Sequence, residues 1–79
     1  MNLQLRGLLV EKRQKKADLA IRAQARITAL RRELETAPYS PLETLKEPEI
    51  KTNALELSDL LGEYRLVLAE IGQIERELA

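Results

Sequence analysis

Along the first half of the chain Ala20, Ala23, Ile27, Leu30, Leu34 and Ala37 recur at alternating steps of three and four, the spacing of an apolar seam on a packed helix. In the second half Ile50, Ala54, Leu57, Leu61, Tyr64, Leu68, Ile71 and Leu78 repeat the pattern, with Glu75 as the polar intruder. No proline falls inside either run. Gly7, Gly62 and Gly72 each cost about 1 kcal/mol relative to alanine in a helix interior, which the seams can absorb. Two long helices are therefore predicted, over about residues 2–37 and 48–78.

Between them lies "YSPLETLKEPEI", Tyr39 to Ile50, with two of the chain's three prolines. Ser40, Pro41 and Glu43 match a capping box, which predicts a short helix over about residues 41–46. Pro48 donates no amide and disfavours helix for Glu47, so the second long helix is expected to start at about Pro48. Residues 38–48 thus read as a corner whose Leu42 and Leu45 are available to cover the open end of the seam. The predicted fold is all-α: one antiparallel helical hairpin spanning residues 1–79, its long helices joined by a proline-containing corner.

If Ala37 faces Ile50 across that corner, Leu30 meets Leu57, Ala23 meets Tyr64, Leu9 meets Leu78, and Arg13 falls near Ile74 and Glu75. A large tyrosine then lies over a small alanine. Leu60, Val67 and Ile74 form an extra apolar row, each one residue before a seam position, so the face is wider than a lone hairpin requires. Either a second neighbour or the segment "MNLQLRGLLV" must cover it. The expected solution is a dimer of hairpins, a four-helix bundle or coiled coil, with Leu60, Val67, Ile74, Leu57, Leu61 and Ile71 at the interface.

Composition narrows the chemistry. The 79 residues include no cysteine and no histidine, which removes disulfides and the usual zinc ligands. The only aromatic residues are Tyr39 and Tyr64. A small core without a positioned acid, base or nucleophile is not expected to be an enzyme, and no metal or cofactor is expected. Glu43, Glu47 and Glu49 lack the spacing of a calcium loop. The longest apolar runs fall short of the roughly 20 residues a membrane span needs, and the apolar-then-basic start reverses a signal peptide's order, so a cytoplasmic location is expected.

Zero net charge conceals an asymmetry. Residues 1–36 carry five more basic than acidic residues, and residues 37–79 five more acidic than basic. The basic run "EKRQKK" supplies Lys12, Arg13, Lys15 and Lys16; with Arg22 and Arg26 these make a candidate face for a partner or for nucleic-acid phosphates. No recognition motif or aromatic stacking platform accompanies them. The acidic half of the same chain is a competing partner at high effective concentration. Leu5, Leu8 and Leu9 form a candidate docking segment for a partner's groove or a membrane surface, unless helix 1 simply continues its packing there. In architecture the chain resembles helical-hairpin adaptors, scaffolding proteins and small phage or mobile-element proteins that act by binding another protein. No diagnostic motif places it in a family. The expected role is a self-associating protein interaction module, an adaptor, scaffold or inhibitor; the alternative is nucleic-acid binding through the basic face.

Overall fold

The computed structural model describes residues 2–35 and 37–79. Two α-helices, α1 (Leu3–Glu35) and α2 (Glu47–Leu78), run antiparallel and pack along their length, and no strand occurs among the described residues. The Cα envelope measures 62 × 16 × 14 Å, the shape of a hairpin with a single seam. Among the described residues no helix is long and apolar enough to cross a membrane.

Local chemistry sets the helix ends. The Asn2 side chain accepts a hydrogen bond from the Leu5 amide at 3.0 Å, capping α1. Pro48 occupies the first turn of α2, where a missing N–H goes unnoticed, and Glu47 and Glu49 favour the positive end of the helix dipole. The second helix starts at Glu47, at the boundary expected at about Pro48, after the cap residue Lys46. The expected first helix through residue 37 includes Thr36, which lies outside the described residues. Ala37 belongs to a separate 3₁₀ turn, Ala37–Tyr39.

The corner is tighter than expected. A second 3₁₀ turn, Leu42–Thr44, replaces the short helix over 41–46. Its cap is Pro41, with no side-chain capping bond, so the Ser40 and Glu43 capping box does not form. Thr44 instead donates its hydroxyl to the Pro41 carbonyl at 2.7 Å, a local bond that competes with helix propagation. Leu45 is half-buried, whereas Leu42 is exposed and does not cover the seam.

The seam follows a strict heptad on both helices. On α1 the buried and half-buried positions include Leu5, Leu9, Lys12, Lys16, Leu19, Ala23, Arg26, Leu30 and Glu33; on α2 they include Ile50, Asn53, Leu57, Leu60, Tyr64, Val67, Ile71, Ile74 and Leu78. Leu19, Ala23, Leu60, Val67 and Ile71 form the core cluster, with Leu9, Leu57 and Tyr64 packed on it. This corrects the predicted seam. Leu60, Val67 and Ile74, read from sequence as a surplus row facing a second molecule, are buried between the chain's own helices. Leu57 and Ile71 lie in the same seam, and Leu61 alone of the six expected interface residues is exposed.

Both helices are turned by roughly 50°, half the angle of one residue, relative to the seam expected from sequence. The physical reason is visible in what each choice buries. Turning inward through Leu61 and Leu68 would carry Glu75 into the seam, while turning through Leu60, Val67 and Ile74 buries three branched side chains and leaves that carboxylate at the edge. The observed choice admits Lys12, Arg26 and Glu33 on α1 and Asn53 on α2, all half-buried, and the charged ends of Lys12 and Arg26 reach partners on α2.

Candidate functional site

The heptad gives the hairpin two unlike flanks. On one, α2 carries Glu49, Glu56, Glu63, Glu70 and Glu77 at seven-residue intervals. Lys12 donates to Glu70 at 2.8 Å, and Arg26 donates to Glu56 at 3.1 Å and to Asn53 at 3.0 Å. These two cations stand two heptads apart on α1, and so do their glutamates on α2, so one geometry is used twice. Arg22 pairs within its own helix with Asp18 at 3.7 Å and, with Arg26, lines an open groove opposite Glu56, Asp59 and Glu63. The charge asymmetry of the two halves is thus brought into contact along one flank. Such pairs select an antiparallel partner and its register more than they add stability.

Lys12 is the least exposed of these charges, with a side chain 21% accessible. Glu70→Gln is expected to lower stability by about 0.2–1 kcal/mol, with the loss shrinking as salt screens the half-exposed carboxylate. Urea titration at low and high ionic strength measures both. An equal loss in 1 M salt would mean that the carboxylate acts through packing and not through charge.

Of the six cations read as a partner or phosphate face, Lys12, Arg13, Arg22 and Arg26 are engaged in ion pairs within the chain. Lys15 and Lys16 have no ion-pair partner among the described residues. Arg13 reaches Glu75 at 3.3 Å, the neighbour expected for it, but Lys12 with Glu70 and Arg26 with Glu56 pair in a register five residues shorter than the one in which Ala37 faces Ile50. The docking-segment leucines separate: Leu9 packs on the core, Leu5 is half-buried, and Leu8 lies on the surface.

The Arg13 to Glu75 pair marks the opposite flank, and there the character changes. Ile27 and Leu34 on α1 are 40% and 46% exposed, and Leu61 and Leu68 on α2 are 40% and 41% exposed. All four follow directly after a seam position, as do the smaller Ala20 and Ala54. They form one apolar strip along the side away from the glutamate row. The apolar surplus inferred from sequence is therefore real but belongs to different residues. A row count alone could not separate the two, since Leu60 with Val67 and Leu61 with Leu68 are equally apolar. The signal that was missed is the row of glutamates, because that flank must face the cations of α1 and leaves the other flank free.

No known protein family matches this chain, and no curated protein or solved structure is significantly similar to it.

Proposed function

We propose that this chain acts as a self-associating helical-hairpin interaction module, an adaptor or scaffold that works by binding protein. The observation that carries this reading is the strip of Ile27, Leu34, Leu61 and Leu68, each two-fifths or more exposed on one side of a hairpin with a single narrow seam. Apolar surface buried in an interface contributes about 25 cal/mol per Å². A two-helix core in so small a chain buries little surface by itself, so association adds stability that the hairpin alone lacks.

Nucleic-acid binding through the basic run is the weaker reading. It needs cations free to meet phosphates, and Lys12, Arg13 and Arg26 are paired with α2. Sedimentation equilibrium at low to high micromolar concentration tests the main proposal. A dimer or larger assembly is expected, and a fully helical monomer at high micromolar concentration would refute self-association.

A further inference from the structure

The outer face of α1, turned away from α2, carries a second pattern. Leu3, Gly7, Val10, Gln14, Ala17 and Ile21 follow one another at alternating steps of four and three, the spacing of a coiled-coil seam. The stripe stays uncharged onward through Gln24 and Thr28. All of it is exposed, with Leu3 at 72%, Val10 at 55% and Ile21 at 71%. In a chain that is 33% charged, so long an outward stripe without a charge departs from an ordinary solvated face. The comparable stripe on the outside of α2, through Leu55, Gly62 and Leu66, is broken by Asp59. Gly7 fits the same picture. A side chain there would meet nothing within 4 Å and its φ is not positive, so the hairpin gives no reason for a glycine, whereas a second helix packed on it does.

We propose that a second copy of this chain packs its α1 on this stripe, parallel and in register, about a two-fold axis that runs along the helices. This rests on the self-association reading and gives it a surface, the outer face of α1, bordered by Ala20 and Ile27 of the apolar strip. Every stripe position then meets its own counterpart. Val10 faces Val10, Ile21 faces Ile21, and the two Gln14 amides share a hydrogen bond, a polar layer of the kind that fixes register in a parallel pair. The hairpin does not obstruct the approach: Leu19, 1% exposed, faces α2, and Ile21 two residues on points the other way. Ile21 lies outside the hairpin's own seam, so the stability of the dissociated hairpin does not depend on it.

The charges that border the stripe decide the orientation. Arg6 and Arg13 lie along one edge, and Glu11 and Asp18 along the other. In a parallel pair in register, an edge residue on one helix meets the opposite edge of the second helix five positions further along. Arg6 then faces Glu11 and Arg13 faces Asp18, four opposite-charge pairs once both copies are counted. An antiparallel pair overlapping the whole stripe, with Leu3 on Thr28, instead sets Glu11 beside Asp18 of the second copy and leaves both arginines facing Ala20 and Ile27. Arg13 and Asp18 also have partners within the chain, Glu75 and Arg22, through side chains more than half exposed. Arg6 and Glu11 have no ion-pair partner among the described residues.

Charge reversal at that pair is the test. Arg6→Glu and Glu11→Arg, each alone, are expected to weaken dimerisation about tenfold by setting like charges across the contact, with helicity by circular dichroism retained. Mixed in equal amounts they should form a mixed dimer as tight as the parent's, because the reversed charges then face each other. A mixture that sediments no more tightly associated than either variant alone would overturn the proposal even if the parent dimerises. The chain has no cysteine, so Val10→Cys and Ile21→Cys add a second arm: each chain is expected to oxidise to a covalent dimer of its own kind. Failure of the Val10→Cys chain to link to itself, or a mixture dominated by links between the two variants, would overturn the parallel pair. A parent chain that sediments as a monomer at high micromolar concentration would instead refute the self-association reading, and the proposal with it.

Discussion

Leu19→Ala is expected to remove about 2–5 kcal/mol of stability, whereas Ile21→Ala, two residues away on the same helix, should change it by no more than about 0.5 kcal/mol. Leu19 is 1% exposed in the centre of the seam, and Ile21 is 71% exposed on the outer surface of α1. Truncating Leu19 loses the transfer free energy of its methyl groups and leaves a cavity beside Val67, itself 1% exposed, which two rigid helices close only in part. Truncating Ile21 removes no packing, and alanine is the better helix former. A domain of this length has roughly 4–12 kcal/mol in total at typical stability per residue, so the Leu19 variant loses a large share of it. Near 4–8 °C per kcal/mol, its Tm should fall by more than about 8 °C. Thermal melts followed by circular dichroism decide the matter. Equal effects at the two positions would mean that α1 presents another face to α2.

The second large effect concerns Ala23 and Tyr64. Ala23 is buried in the core cluster, and Tyr64 packs against that cluster, so Ala23→Leu is expected to overpack the seam by about 1–3 kcal/mol. Tyr64→Ala alone leaves a cavity of the opposite sign. In the double variant the added leucine volume has the space that the ring vacated, so the combined loss should be smaller than the two losses added. Contacting residues deviate from additivity by about 0.5–3 kcal/mol, and distant ones by much less. A double-mutant cycle by urea unfolding measures the coupling. Simple additivity would show that the ring does not lie over Ala23.

Much of the architecture is legible in the residues. Long runs without proline, apolar residues at steps of three and four, and a doubled proline segment between them are sufficient for two helices and a corner, because helix periodicity and the missing proline amide are local properties. The pairing of Arg13 with Glu75 is also readable, since opposite charges placed at matching distances from a corner have few other partners. The corner's fine structure is not. Ser40 and Glu43 have the spacing of a capping box, but a bond from the Thr44 hydroxyl to the Pro41 carbonyl and a turn of three residues take its place.

The rotation of each helix about its own axis was decided only by tertiary structure. On α2, Leu60 and Val67 directly precede Leu61 and Leu68, and both rows continue the seam of Leu57, Tyr64 and Ile71. Sequence periodicity determines that an apolar face exists and that it is wider than one seam. Which row turns inward depends on what the opposing helix brings with it: Lys12 and Arg26 reach their glutamates only when the row of Leu60, Val67 and Ile74 faces α1, and only then does Glu75 remain at the edge beside Arg13. These are contacts between residues 30 to 62 positions apart in the chain, so no local window of sequence contains them.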